Sequence, residues 1–508
     1  MTPSKGNGVR KHGSFNRRQL LSIAGGSACA AILAGCGGKL ALDLPPPPSL
    51  TETPTASVRP ATATAAPTAT ATATPNTSMS AYGDARTAPN YRPSPSVPLT
   101  TTPVADATAI GNRPTTGLPM PIYRQTPGDA IAPTFFGMHI HNATTSTPWP
   151  VIPFGTWRLW DASVAWPDLE PERDAWDFQR LDACVALAEK HGVEILLPLG
   201  LTPNWASARP DEPGAHGPGT AAEPRNLDDW RAYVRAVATR YRGRIRYYEL
   251  WNEVNVREFY TGTVEQMILL ARETHQVLKG VDATLKLVSP SSTERASGLA
   301  WLDIFLAAEG GAYVDIIAHH LYVSPDPPEA ILPFADQVRA IMKRHGVRDK
   351  PLWNTESGWY RGTKVFATDA EESAYLARSY LLNWAVGAER FSWYAWDNHG
   401  WSSIDLTADD NDALRPAGDA YREVRTWLVG SRMTSCSAYV DNTWICQLTR
   451  PDGSPARIVW NPERTIGFNT PVAWRARAWR DLTGAQREMD ANNRITIGPS
   501  PLLLESAT

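Results

Sequence analysis

Tyr248-Glu249-Leu250-Trp251-Asn252-Glu253-Val254-Asn255 is an apolar, aromatic run that ends in an amide and a carboxylate side by side. It has an echo further along in Pro351-Leu352-Trp353-Asn354-Thr355-Glu356-Ser357-Gly358-Trp359. Each stretch reads as a buried strand that delivers a glutamate at its C-terminal end, beside Trp and a short loop. Two such glutamates point to a paired-carboxylate site. Glu249 lies inside its strand, where a buried structural role is expected instead.

Working outward, strand-like segments recur at 135–141, 156–160, 193–199, 244–253, 285–289, 314–322, 351–356 and 390–396. Helical periodicity fills 178–191, 227–241, 264–278, 299–308, 331–345 and 373–388 between them. Gly192 is placed to end the first helix, and Asn226 to begin the second with Asp228 and Asp229 in its first turn. Such alternation predicts an α/β fold, a (β/α)8 TIM barrel over 131–430, whose active site lies at the C-terminal strand ends. Glu253, Glu356, Tyr322, Trp205 and Trp396 all fall at such ends and should converge on one face.

From residue 431 to 508 the pattern changes to short strands with turns at Asp441-Asn442, Pro451-Asp452-Gly453 and Asp481-Leu482-Thr483-Gly484. A small antiparallel β-sandwich is expected there, serving as structural support or as a sugar-binding module. Cys436 and Cys446 flank one of its hairpins and are either a disulfide or two buried thiols. Cys184 falls in a predicted helix.

The N-terminus reads as an address. Lys11, Arg17 and Arg18 precede an apolar run from Leu20 to Ala34 that meets Leu33-Ala34-Gly35-Cys36. This is the layout of a secretory signal peptide over 1–36, too short to span a bilayer. Residues 37–130 are rich in Pro, Thr and Ala and too poor in large apolar side chains to offset their ordering entropy, so a disordered tether is expected. At roughly 3 Å per extended residue, it could hold a domain on the order of 200 Å from a membrane.

At 508 residues the chain has room for two folded units and unfolded segments. A formal charge of −3, with both signs spread along the chain, excludes a nucleic-acid binder that must neutralise phosphates. Twenty Trp residues are the compositional outlier, and those not needed for the core suit a cleft that covers apolar sugar faces.

The Asn-Glu ending a fourth strand and the Thr-Glu ending a seventh resemble the acid/base and nucleophile of clan A glycoside hydrolases. Phe136-Gly137-Met138-His139, the segment from Leu169 to Phe178 and Pro203-Asn204-Trp205 look most like family 39 and its relatives, with family 5 the nearest competitor. The resemblance implies a retaining hydrolase acting on a cell-surface polysaccharide or oligosaccharide, with Glu253 as acid/base and Glu356 as nucleophile. It implies that Asn252 contacts the sugar hydroxyl beside the reacting carbon, and that His320 and Tyr322 form the His-x-Tyr of strand six. Arg158 resembles an arginine that keeps the nucleophile ionised, and an ion pair with Glu249 is its other reading. Trp396 looks like the platform under the sugar, with Trp393 as the alternative. Trp160, Trp205, Trp359 and Trp401 are candidate subsite walls, and Asp161 and Asp397 candidate hydroxyl binders.

No cofactor is implied, and a metal on His319 and His320 is disfavoured because neighbours on a strand face opposite ways. Asn16-Arg17-Arg18-Gln19-Leu20-Leu21 resembles a twin-arginine signal, and Leu-Ala-Gly-Cys a bacterial lipobox that leaves Cys36 lipidated. The implied partners are a carbohydrate and, through that lipid, a membrane on the extracytoplasmic side. The rival reading is a non-catalytic carbohydrate-binding lipoprotein that keeps a barrel as scaffold.

Overall fold

The computed structural model describes residues 129–506; the expected signal peptide, the expected lipidation at Cys36 and all but the end of the expected tether over 37–130 lie outside them. Eight strands form one parallel sheet: β1 (Phe136–His139), β2 (Thr156–Arg158), β3 (Glu194–Leu199), β4 (Tyr247–Leu250), β5 (Lys286–Val288), β6 (Ile317–Ala318), β7 (Leu352–Ser357) and β8 (Ala388–Trp393). Their order is β5-β4-β3-β2-β1-β8-β7-β6. A parallel bridge from Val288 to Ile316 joins the two ends and closes the barrel. The α/β barrel expected from the alternation is therefore observed.

The helices are α1 (Trp166–Leu169), α2 (Gln179–His191), α3 (Leu227–Arg240), α4 (Val264–Val281), α5 (Leu299–Ala307), α6 (Ile331–Arg344), α7 (Asp369–Ala385) and α8 (Pro416–Leu428). Gly192 ends α2 at φ 65°, and the Asn226 side chain accepts a hydrogen bond from the Asp228 backbone N–H at the start of α3. No helix joins β1 to β2, and α8, which follows β8, had no reading as a helix.

The strands are shorter than the apolar runs. The run 314–322 contributes two ladder residues and 244–253 contributes four. Inward side chains make the shortened barrel solid. At one end Arg390 lies over the rings of Tyr247 (4.3 Å) and Trp353 (4.2 Å) and donates to Thr156 Oγ1 (3.0 Å). Two residues further along their strands, Glu249, Arg158, Thr355 and His139 form the next layer. Period-two alternation puts each polar residue of this layer above its neighbour in the layer below.

The remaining strands are β9 (Arg432–Ala438), β10 (Trp444–Thr449), β11 (Pro455–Trp460), β12 (Ile466–Asn469), β13 (Ala476–Arg480), β14 (Gln486–Glu488), β15 (Arg494–Ile497) and β16 (Leu502–Ser506). They form a six-stranded antiparallel sheet, β14-β13-β16-β11-β10-β9, faced by the pair β12-β15. One face of the larger sheet, with Ile445, Val459, Leu502 and Leu504, packs on Phe468, Ile495 and Ile497 of that pair. The other, with Cys446, Ile458 and Leu503, joins the barrel core. Trp460 Nε1 donates to Glu329 Oε1 (3.0 Å), which also pairs with the buried Arg378 of α7. Cys436 and Cys446 are register partners in β9–β10 and are disulfide-bonded, while Cys184 is a buried free thiol.

Candidate active site

Glu253 and Glu356 meet above the C-terminal ends of β4 and β7. With His320, each offers an atom within 4.8 Å of the others. Strict alternation cannot deliver both Asn252 and Glu253 to one side, or both Thr355 and Glu356. The chain breaks it differently in the two strands. After β4 ends at Leu250, Trp251 (φ 61°) and Glu253 (φ 44°) take left-handed backbone conformations that side chains rarely adopt. In β7 the pairing with β8 shifts register between Asn354 and Ser357, an irregularity of the kind that re-aims a side chain.

Arg158, fully buried, organises the group. Its Nε donates to Glu249 Oε2 (2.6 Å), Nη1 to Glu356 Oε2 (2.8 Å) and Nη2 to Asn252 Oδ1 (2.7 Å). The two roles considered for Arg158 are thus filled at once, with the amide as a third partner. Thr355 Oγ1 donates to Glu249 Oε1 (2.7 Å), and Tyr322 O–H donates to Glu356 Oε1 (3.0 Å). His320 Nδ1 lies 2.9 Å from Glu253 Oε1. Burial, and next the charge of Arg158, push His320 well below the ordinary imidazole range, so its ring is neutral. A protonated Glu253 then donates to Nδ1.

Burial raises both glutamates above the ordinary carboxylate range, Glu253 to about 7. At Glu356 the guanidinium and the phenol pull against burial and against the charge of Glu253. Two such close carboxyls hold one proton between them more easily than none. The partners decide where it sits: Glu356 accepts from a cation and a phenol, and Glu253 faces a neutral imidazole. The charge belongs on Glu356 and the proton on Glu253.

Glu253, His320 and Glu356 are also close enough for a metal ion to bridge. Both oxygens of Glu356 are already engaged, and the Arg158 guanidinium would repel a cation, so this donor set fits proton transfer better.

Arg158→Met should lower stability by about 3–5 kcal/mol, because it strands buried carboxylates without their counter-charge. Urea denaturation followed by circular dichroism measures the loss; a change under 1 kcal/mol would contradict it.

Of the Trp residues expected to line the cleft, Trp160 adjoins this group, 5.9 Å from the Arg158 guanidinium. Burial corrects the platform, in both of its readings, and one wall. Trp396 is fully buried, its backbone N–H donating to His139 O (2.9 Å), and leaves no face for a sugar; Trp393 is equally buried. Trp359 is 1% exposed and packs between Tyr375 and Trp393. Trp205, half-buried, donates to Glu170 O (2.9 Å) and lies under the Arg173 guanidinium. Asp397 spends both oxygens on the backbone N–H groups of His141 and Asn142 and on Thr147, so it holds a loop.

Partly exposed aromatic faces are those of Trp401, one of the expected walls, and of Tyr360, stacked with centroids 5.0 Å apart and backed by the buried Tyr394. Trp401 meets Tyr322 edge-on at 5.8 Å and Tyr394 at 4.9 Å. Tyr360 and Tyr394 had no sequence reading. The available signal was alternation: Tyr360 is one residue beyond Trp359, and a one-residue slip exchanges core and lining.

Residues 223–421 match the model of a glycosyl hydrolase catalytic core, and residues 158–266 that of a β-galactosidase family. No curated protein matches the chain. Among solved structures, a family 39 glycoside hydrolase from Bacteroides cellulosilyticus WH2 aligns with 21% identity over 70% of this chain and 76% of its own (TM-score 0.58). A glucosidase from Croceicoccus marinus aligns with 15% identity over 77% and 98% (TM-score 0.55). A family 39 β-xylosidase from Caulobacter crescentus aligns with 16% identity over 75% and 98% (TM-score 0.54). At these identities the likeness is one of fold, the eight-stranded α/β barrel described above.

Proposed function

We propose that the protein is a retaining glycosidase acting on a polysaccharide or oligosaccharide outside the cytoplasm. The observation that carries this reading is the spacing of Glu253 and Glu356, with carboxylate oxygens within 4.8 Å. Double displacement uses carboxyls about 5–5.5 Å apart, and inversion needs about 6.5–9.5 Å to admit a water. Glu356, held ionised by Arg158 and Tyr322, attacks the anomeric carbon. Glu253 gives its proton to the leaving oxygen, and a water deprotonated by Glu253 then releases the sugar. Asn252, fixed by Arg158, is placed to bond the hydroxyl beside the reacting carbon. Proton NMR of the first product anomer tests the reading: retention is expected, and an inverted first product would overturn it.

The same proposal gives 131–430 as the catalytic domain and 431–508 as its support, since the sandwich spends one sheet face on the barrel core. Residues 1–36 would export the chain and 37–130 would tether it through a lipid on Cys36. Cys36→Ser should move the protein out of the membrane fraction of the producing cell; retention there would remove the anchor.

A further inference from the structure

Asp161 stands next to the carboxylate pair and takes no part in the proton bookkeeping above. It follows β2 in a left-handed turn (φ 60°) that swings its side chain toward the cleft side of the barrel. Its neighbour Trp160 lies 5.9 Å from the Arg158 guanidinium, and its charge reaches Glu253 and Glu356, raising both. Tyr394 O–H donates to its Oδ2 (2.7 Å), and through Tyr394 it adjoins Trp401 and the aromatic lining. On its other side, His216 Nε2 is 3.9 Å from Oδ1, beyond hydrogen-bond reach, and the His216 ring meets Trp160 edge-on. Oδ1 therefore accepts no close hydrogen bond, and the His216 imidazole at ion-pair distance is the group a ligand cation would compete with.

The surrounding charge is one-sided. Beside the protonated Glu253 stand the carboxylates of Glu356 and Asp161, and the Arg158 guanidinium beneath them has already committed Nε, Nη1 and Nη2. Three cations near the rim are engaged elsewhere: Arg180 with the carbonyls of Ala162 and His141, Arg295 with Asp326, and Arg361 with Asp405 and the His399 carbonyl. A sugar carboxylate entering here would meet the charges of Glu356 and Asp161 at close range. An ammonium group would find Oδ1 of Asp161 and the electron-rich faces of Tyr360 and Trp401.

We infer that Asp161 sets the charge class of the substrate: a glycan bearing a protonated amino sugar in the cleft is taken in preference to a neutral one, and a uronate is refused. This rests on the glycosidase reading for its site.

Titration calorimetry of the full chain tests it with three matched probes, glucosamine oligosaccharides, neutral gluco-oligosaccharides and oligogalacturonides, at a pH that keeps the amines protonated. Affinity should fall in that order, with the cationic probe about tenfold or more ahead of the neutral one and losing its lead in salt. In Asp161→Asn, which keeps an acceptor for Tyr394, the cationic-to-neutral ratio should fall toward one. Because a ratio is read, a general loss of affinity in the variant does not mimic the result. If the variant fails to fold, the wild-type order and its salt dependence decide. A uronate bound as tightly as the neutral probe, a ratio unchanged in Asp161→Asn, or no binding of any probe would overturn the inference. Charge discrimination without turnover of any glycan leaves the inference standing and removes the glycosidase reading; turnover without discrimination does the reverse.

Discussion

Glu356→Ala should reduce kcat on an aryl glycoside by about 10⁴ or more, with binding of the same glycoside kept within a few fold. The size follows from what the residue alone supplies. It is the group in the cleft held ionised by two donors, Arg158 Nη1 and Tyr322 O–H, and aimed at the face opposite the proton donor. Removing it leaves Arg158 in place and a vacancy the size of a small anion. Azide should therefore restore turnover and yield a glycosyl azide of inverted configuration, because the anion attacks from the side the carboxylate occupied. A loss without azide rescue is also what simple misfolding would produce, so the inverted product is the decisive signature. Unchanged kcat would remove Glu356 from the nucleophile's role.

How far this site could be read from sequence divides along a physical line. The barrel was legible because eight apolar runs alternate with helical periodicity, and burial on both faces leaves a strong, repeated signal. The two glutamates were legible because both end such runs. Lining residues were harder, because they lie where the ladder has stopped and period two no longer applies. Trp359 and Trp396 were expected in the cleft and are buried, while Tyr360, next to Trp359 in the chain, presents its ring and the buried Tyr394 backs Trp401. The left-handed turn at Trp251 and Glu253 and the irregular β7–β8 register are the same phenomenon at the acids themselves. No local composition marks these breaks, since neither uses Gly or Pro. Arg158 shows the converse: its two readings looked exclusive because a sequence presents one partner at a time, and a guanidinium has several donors.

Activity should fall as pH rises through about 7, the range to which burial pushes Glu253, and this limb should vanish in Glu253→Gln. The sign follows from the role. Glu253 must carry its proton to donate it, so the competent form lies below that pKa and is lost above it. Glu356 must be ionised, so its titration sets the acid limb. Glu253 is still protonated and neutral where Glu356 titrates, and Gln keeps that neutral state, so in Glu253→Gln the acid limb should stay where it is. The loss in rate should depend on the leaving group. A poorly activated glycoside needs the proton and should lose about 10³-fold in kcat/KM, within the usual range for general acid catalysis. A dinitrophenyl glycoside departs without help and should keep most of its kcat/KM, with kcat limited by slow release of the trapped sugar. Azide should relieve that step and give a product of retained configuration, opposite to the Glu356→Ala product, because here the anion attacks the glycosyl–Glu356 ester. Equal losses for good and poor leaving groups would assign Glu253 to holding the sugar, and the proton would then have to come from another group.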